Sequence, residues 1–142
     1  MKIDVPRTLA DWNARGSDYL PGLLEMEFLK VDADEVVGRF TVRRAHGAWN
    51  GFLHAGAVVS LGDTCCGYGT LAALPDGADG FTTVDLAANF VGTARDGAVT
   101  CTARPLHRGR TTQVWDATVA AEASGKAIAH VRCTQMILWP RS

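Results

Sequence analysis

The chain lacks the features that mark several large classes of protein. Its 142 residues carry 14 basic and 15 acidic side chains, so it has no basic excess of the kind typical of nucleic-acid-binding proteins. No N-terminal segment combines a basic start with an apolar run, which argues against a signal peptide. The least polar stretch, residues 55–74, contains Asp63 and four glycines and would span a membrane poorly. We therefore expect a cytoplasmic protein that binds neither nucleic acid nor membrane.

Cysteines are few, and their spacing does not suit a metal site. None of the four, at Cys65, Cys66, Cys101 and Cys133, forms a C-x-x-C pair, and the short His and Cys spacings of a zinc site are missing. The neighbours Cys65 and Cys66 cannot easily bridge each other. We expect four reduced, packed thiols and no bound metal.

What is present is typical of one folded domain. Hydrophobic residues make up 47% of the chain and charged residues 20%, which is a globular composition. A chain of this length buries roughly two-thirds of its unfolded surface, enough for one core. No long linker, repeat or low-complexity run interrupts it, so we predict a single domain over residues 1–142. The slight apolar excess favours burial of some surface against a partner chain.

Hydrophobic periodicity predicts the order of the elements. Residues 8–19 have the spacing of a short amphipathic helix ended by Gly16 and Pro21. A hairpin follows, with strands over 23–31 and 36–44. A long helix is predicted over 55–73, and four strands over 81–91, 98–107, 111–121 and 126–138.

The long helix is small or apolar on all sides, so other elements must enclose it. Its four glycines each lower helix propensity by roughly 1 kcal/mol relative to alanine. Packing must offset that cost, and small residues allow a close approach to a sheet or to another helix. The element order predicts an α+β fold in which an antiparallel sheet wraps around the central helix.

Asp63 is a carboxylate in the middle of this apolar helix, where an unpaired charge would be strongly disfavoured. It must face a polar partner, a water-filled cleft or an interface; the simplest alternative is a purely structural hydrogen bond to the Ser60 or Thr64 hydroxyl or to a backbone amide. The N–H groups of Ala55 and Gly56 lie at the positive end of the helix dipole, where they can donate to a developing oxyanion or simply to water. His54 is either part of this site or a helix-end residue packed on the loop.

The run His54-Ala55-Gly56, with Asp63 nine residues after His54, resembles the signature of the hotdog-fold thioesterases. The matching branch includes phenylacetyl-CoA and hydroxybenzoyl-CoA thioesterases, which show His-Gly-Gly and an acidic residue at that spacing. Residues 82–90 are similar to the third strand of the family, and Gly109-Arg110 to the turn that follows. The likeness extends over about residues 23–138. It implies a hotdog fold and hydrolysis of an acyl-CoA thioester.

The resemblance also implies roles for particular residues. Asp63 would activate a water or attack the thioester carbonyl itself, and the Ala55 N–H would hold the oxyanion. Thr83 would orient the carboxylate or the water, unless it is an ordinary strand threonine, and His54 and Asn50 would contact the thioester or the leaving sulfur. Coenzyme A is part of the substrate, and no separate cofactor is implied. The substrate-binding positions would be Gly56, Val84, Arg108, Gly109 and Arg110, and the two arginines would meet CoA phosphates unless their turn is merely solvated.

Two positions depart from the family pattern. Ala55 replaces the first glycine, but alanine keeps the N–H on which the role depends. Relatives often carry Asn or Gln six residues before the histidine, where this chain has Ala48. Asn50 lies two residues later and is the candidate to replace that amide.

The resemblance implies a homodimer or homotetramer, and helix geometry favours a site shared between two chains. Ala55 and Asp63 are eight residues apart, which is roughly 12 Å along a helix axis. One helix cannot place both groups at the same thioester. Two other functions stay open: a hydratase on the same fold, whose usual Asp, Pro and His spacing is missing, and a non-catalytic acyl-CoA-binding protein.

Overall fold

The computed structural model describes residues 2–141. Two short helices, α1 and α2, precede a hairpin of strands β1 and β2. A 3-10 turn and the long helix α3 follow, and strands β3 to β6 complete the chain. The bounds are α1 Leu9–Arg15, α2 Leu20–Leu23, β1 Glu27–Val31, β2 Val36–Thr41, the 3-10 turn Arg44–His46, α3 Ala55–Ala72, β3 Gly80–Phe90, β4 Ala98–Arg108, β5 Thr112–Ala121 and β6 Ala127–Leu138.

The strands form one antiparallel sheet in the order β1-β2-β4-β5-β6-β3. Helix α3 packs on the inner face of this sheet, so the predicted α+β fold, a sheet around a long central helix, is confirmed. Alternate residues of the strands point toward α3 and form the core, as the period of two requires. The four cysteines lie in this core as free, buried thiols, as expected. Among residues 2–141, no helix is both long and apolar enough to cross a membrane.

Glycines let α3 lie directly on the sheet. A methyl group at Gly69 would come within 2.4 Å of the Trp115 ring, and one at Gly62 within 2.9 Å of Val131. These distances are far below ordinary van der Waals contact, so any larger residue would push the helix away. The packing gained by this close approach offsets the weak helix propensity of glycine.

The N-terminal elements differ from the prediction. The expected helix over residues 8–19 is two helices, and α1 ends at Gly16. Pro21 does not terminate a helix but lies in the first turn of α2, where a missing N–H costs nothing. The expected strand over 23–31 begins only at Glu27 because α2 and the left-handed residue Glu25 (φ 53°) occupy its first half.

The two edges of the sheet are not alike. At the β1 edge, the Asn13 side chain of α1 binds both backbone groups of Phe28, donating to its oxygen at 2.9 Å and accepting from its nitrogen at 2.8 Å. Strand β3 forms the other edge and pairs only with β6. Its inner-face side chains Leu86 and Phe90 are 40% and 46% exposed. An edge strand of eleven residues with exposed apolar side chains and no partner strand is unusual on a protein surface that faces water.

Candidate active site

The start of α3 leaves one backbone donor unoccupied. His54 is the N-cap, and its Nδ1 accepts from the Gly56 N–H at 2.8 Å. A methyl group at Gly56 would lie only 2.9 Å from that nitrogen, which explains the glycine. The Ala55 N–H has no acceptor among residues 2–141, and the residue is exposed. Of the two amides predicted from sequence, Ala55 is therefore the one free to bind an oxyanion.

An apolar cavity opens beside this amide. It has a volume of about 200 Å³ and brings Ala55 and Val58 of α3 together with Phe90 at the end of β3. Its other walls are Phe52, Leu53, Gly92, Thr93 and Ile128. The cavity suits an apolar segment of a substrate whose carbonyl oxygen reaches the Ala55 N–H.

Asp63 lies half-buried on α3 without an ionic partner among the described residues. The Cys133 thiol lies 4.0 Å from its Oδ1, at the outer limit for a hydrogen bond that involves sulfur, and is a weak contact. Ser60 and Thr64 donate instead to the backbone oxygens of Gly56 and Ser60, each at 2.7 Å, so the simple alternative of a hydroxyl partner for Asp63 is wrong. Burial raises the pKa of the Asp63 carboxyl above its usual value.

Thr83 lies on the inner face of β3, where the register places it opposite the buried Gln135. A methyl group at Gly67 would be 3.2 Å from the Phe81 ring, which fixes where α3 crosses β3. The helix and the strand run in opposite directions, since the helix start lies beside the strand end. Asp63 lies four residues before Gly67, about 6 Å along the helix, and Thr83 lies two residues after Phe81, about 6.6 Å along the strand. Asp63 Oδ1 lies 4.0 Å from the Cys133 sulfur, and Thr83 is opposite Gln135, the neighbouring inward residue of β6, so the two side chains lie in the same region of the inner face.

The two arginines of the predicted phosphate site differ in whether groups of the described chain already bind their guanidinium groups. Arg108 donates to the Ala33 oxygen at 2.8 Å and to Asp34 Oδ1 at 2.9 Å. The Arg110 guanidinium lies 4.2 Å from the centre of the Trp139 ring, and no carboxylate among residues 2–141 pairs with it. Gly109 shapes the turn, and its N–H donates to the Thr112 oxygen at 2.8 Å. Arg110 is thus the better placed of the two to meet an anion.

The arginine turn and the helix start lie at opposite ends of β3. Thr112 pairs with Met136, which pairs with Thr82 near the beginning of β3. Ala55 lies beside Phe90 at its end. Within one chain the two regions are therefore separated by most of an eleven-residue strand, or about 30 Å.

The remaining predicted positions lie near the surface. Asn50 is exposed in the loop before α3, and its side-chain oxygen accepts from the Phe52 N–H at 3.3 Å. Ala48 donates to the Phe52 oxygen at 2.7 Å and carries no functional group. Val84 is 54% exposed and is the extra residue of a bulge between Thr83 and Asp85. The structure does not bring Asn50 into contact with the Ala55 amide.

Sequence reasoning missed two buried polar residues near the site. His46 stacks on Phe40 with ring centres 4.3 Å apart and accepts from the Arg43 N–H. Gln135 on β6 is fully buried, and no protein group among residues 2–141 pairs with its amide. The signal for Gln135 was present in the sequence, because it occupies an inward position of an alternating strand between Cys133 and Ile137.

Known proteins are similar to this chain in sequence and in structure. The family model of the thioesterase superfamily matches residues 50–128. A 1,4-dihydroxy-2-naphthoyl-CoA hydrolase from Escherichia coli is 30% identical over 133 residues, which cover 92% of this chain and 95% of that protein. A solved thioesterase from Pseudomonas aeruginosa, a glutamine-to-alanine variant, is 27% identical with a TM-score of 0.87 and covers 93% of this chain and 94% of that one.

A thioesterase from Staphylococcus aureus is also similar, at 31% identity and a TM-score of 0.79 over 84% of this chain and 98% of that one. Its solved structures include one variant with a glutamine replaced by alanine and another with a glutamate replaced by alanine. The glutamate lies fifteen residues after the glutamine.

Proposed function

Since this chain belongs to the thioesterase superfamily and is a thioester hydrolase, we propose that it cleaves acyl-CoA with the Asp63 carboxylate and the Ala55 amide. The observation that carries the proposal is the presence of two unoccupied polar groups, a carboxylate and a backbone amide, on one apolar helix. Asp63 has a raised pKa and no ionic partner among the described residues, and the Ala55 N–H has no acceptor there. A base and an oxyanion donor are what hydrolysis of a thioester requires.

In the proposed reaction, the carbonyl oxygen of the thioester accepts a hydrogen bond from the Ala55 N–H. Asp63 either takes a proton from the water that attacks the carbonyl carbon or attacks that carbon itself. The first route gives the acid directly, and the second gives a mixed anhydride that water then opens. On both routes the carbon–sulfur bond breaks, the thiolate leaves as CoA, and one water is consumed.

Two relatives support these assignments. The Escherichia coli relative acts on a CoA thioester by its name, which favours CoA as the leaving group here. In the Staphylococcus aureus relative, the substituted glutamine and glutamate lie fifteen residues apart. The same separation joins Ala48 and Asp63 in this chain. On this reading Asp63 stands at the acidic position, whereas the amide position is occupied by an alanine.

We propose further that the enzyme works as a homo-oligomer built on two β3 edges paired antiparallel. Such pairing covers the exposed Leu86 and Phe90 and satisfies the open row of backbone groups. It also puts the start of one β3 beside the end of the other. The partner subunit's Arg110 then approaches the Ala55 amide. The partner subunit's Asp63 supplies the carboxylate for the same site, because the Asp63 on the same helix as Ala55 is too far from it. The four buried, free thiols are consistent with a cytoplasmic location.

Thiol release from a panel of aromatic and aliphatic acyl-CoAs tests the proposal. We expect turnover by the natural protein and a kcat at least about 100-fold lower for Asp63→Asn, because the base is lost. Asp76→Asn, which removes an exposed carboxylate in the turn after α3, is the matched control and should keep full activity. Near-normal turnover by a folded Asp63→Asn protein would rule out the assignment. Tight binding of acyl-CoA without any turnover would instead indicate a non-catalytic binding protein, a possibility raised by the alanine at position 48.

A further inference from the structure

A row of polar side chains crosses the inner face of the sheet. Gln113 of β5 and Gln135 of β6 are both fully buried and lie directly opposite each other. On the other side of Gln135, the register places Thr83 of β3. The row therefore runs from the middle of the core to the exposed edge strand.

The two glutamines differ in what their amides bind. Gln113 donates to the Ala73 oxygen at 3.0 Å and accepts from the Trp115 Nε1–H at 2.8 Å. No donor or acceptor among residues 2–141 lies within hydrogen-bond distance of either end of the Gln135 amide. Buried amides are rarely unpaired, because an unmade hydrogen bond destabilises the fold. Gln113 accordingly has a structural role, whereas the role of the Gln135 amide must involve another group.

Thr83 is the neighbouring side chain best suited to meet that amide. Residues directly opposite in antiparallel strands have Cβ atoms about 4.5–5.5 Å apart, within reach of a glutamine side chain. Thr83 is exposed in the single chain. When a second subunit covers β3, its hydroxyl loses contact with water and needs a protein partner.

The same neighbourhood contains the proposed base. Thr83 and Asp63 lie in the same region of the inner face, since each is displaced in the same direction from the point where Gly67 of α3 meets Phe81 of β3. Cys133, two residues before Gln135 on the same face of β6, contacts Asp63 Oδ1 at 4.0 Å. Gln135 and Thr83 are opposite each other, and Asp63 contacts the neighbouring inward residue of β6, so the three polar side chains lie in one region between the core and the edge strand.

We propose that Gln135 is a positioning residue that fixes the direction of the Thr83 hydroxyl toward Asp63 or its water. In the assembled enzyme, where a second subunit covers β3 and shields Thr83 from water, the Gln135 Nε2–H donates to Thr83 Oγ1, and this leaves the single Thr83 proton to point at the carboxylate or at the attacking water. Gln135 itself touches neither substrate nor water and acts through Thr83. This inference rests on the roles proposed above for Asp63 and Thr83.

A double-mutant cycle between Gln135→Met and Thr83→Val tests the inference. Methionine keeps the length and volume of glutamine but removes the amide. We expect Gln135→Met to lower kcat by about tenfold while KM stays unchanged, because the orientation of a catalytic group is lost and not a substrate contact. Thr83→Val should have a similar effect. The double variant should lose little more than either single variant, since the amide then has no hydroxyl to hold.

Gln113→Met is the matched control, because it changes the same residue type with the same burial in the same row. It removes two hydrogen bonds within the chain, so its Tm should fall. Its kcat and KM per folded enzyme should stay normal, and its effects should add to those of Thr83→Val. Gln135→Met breaks no hydrogen bond seen in the chain and should keep a Tm closer to the natural value.

If Gln135→Met does not fold, Gln135→Leu takes its place in the double-mutant cycle. Normal kcat in a folded Gln135 variant overturns the inference, as does a loss that Thr83→Val leaves undiminished. Normal turnover by Thr83→Val also overturns it. Asp63→Asn is measured in parallel: if that variant stays active, the proposed function fails as well, and if it is inactive the failure concerns Gln135 alone.

Discussion

At the scale of single residues, the decisive feature is a carboxylate that the fold leaves without an ionic partner among the described residues. Ser60 and Thr64 lie next to Asp63 in the helix, yet both hydroxyls bind backbone oxygens of α3. Desolvation without compensation raises the pKa of Asp63. A raised pKa stabilises the protonated form and makes the ionised form a stronger base, as general-base catalysis requires.

This shift predicts opposite effects of pH on activity and on stability. Asp63 must be ionised to act as a base, so kcat/KM should fall with decreasing pH at a value above the ordinary aspartate range. Ionisation also costs the folded state more than the unfolded one. The resulting loss of stability is absent below the unfolded-state pKa of Asp63 and complete above its raised folded-state pKa.

Asp63→Asn should therefore be more stable than the natural protein at neutral pH and no more stable in acid. Thermal unfolding of both proteins across the acidic range measures the difference. Parallel stability curves for the two proteins would show that burial of this carboxylate does not cost folding energy.

The arginine turn gives a second prediction at this scale. Arg110→Ala should raise KM for CoA thioesters more than it lowers kcat, because a contact to a CoA phosphate is present in the ground state and the transition state alike. Arg108→Ala should leave KM nearly unchanged, because Arg108 is already bound to Asp34 and Ala33. Steady-state kinetics of the two variants show which arginine contacts the CoA phosphate. A KM unchanged from that of the natural protein in both variants would move the phosphate site elsewhere.

At the scale of elements, α3 shows tertiary packing overriding local propensity. Alanine is favoured over glycine in a helix by about 1 kcal/mol. At Gly69, however, a methyl group would lie 2.4 Å from the fully buried Trp115 ring. The space between helix and sheet is filled, so propensity cannot decide which residue is tolerated there.

Gly69→Ala should thus lower the free energy of unfolding by about 1–3 kcal/mol despite its better helix propensity. Gly67→Ala is the control, because its methyl group would meet only the half-buried Phe81 ring at 3.2 Å, and that side chain can shift. Urea unfolding of both variants measures the effect. If Gly69→Ala were as stable as the natural protein, α3 would have to be able to move away from the sheet.

At the scale of the whole molecule, the two edges of the sheet differ in whether the chain itself covers them. The β1 edge is closed by Asn13 from within the chain, whereas the β3 edge is open and apolar. A sheet that needs covering at one edge only can form a closed two-fold dimer. The distance between Ala55 and Asp63 on one helix is an independent argument for the same arrangement, given the roles proposed for these two residues.

Complementation tests this shared site. Ala55→Pro removes the oxyanion donor, and proline is tolerated at the first position of a helix. Co-refolding of Ala55→Pro with Asp63→Asn should restore roughly one quarter of the natural activity, since half of the random dimers are mixed and each has one intact site. Each variant refolded alone should stay inactive. Mixed dimers that are demonstrated but inactive would disprove the shared site.

By itself, the sequence determined the element order, the enclosed central helix and the candidate carboxylate. These depend on local signals: the period of apolar residues, turn residues between strands, and an acidic residue in an apolar run. The prediction from local signals was wrong at residues 16–25, where Pro21 lies in the first turn of a helix and Glu25 turns the chain. Proline can begin a helix as well as end one, and the left-handed backbone of Glu25 has no signal in its residue type.

Only the tertiary structure decided which polar groups stay unoccupied. Strand order left β3 at an edge, the crossing of α3 set Asp63 beside Cys133, and register set Gln135 opposite Thr83. The fold also engaged Arg108 and the Gly56 amide within the chain, whereas no local signal in the sequence separates these groups from Arg110 and the Ala55 amide. These outcomes depend on pairings between residues far apart in the chain, and such pairings follow from which surfaces bury best together and not from any local pattern.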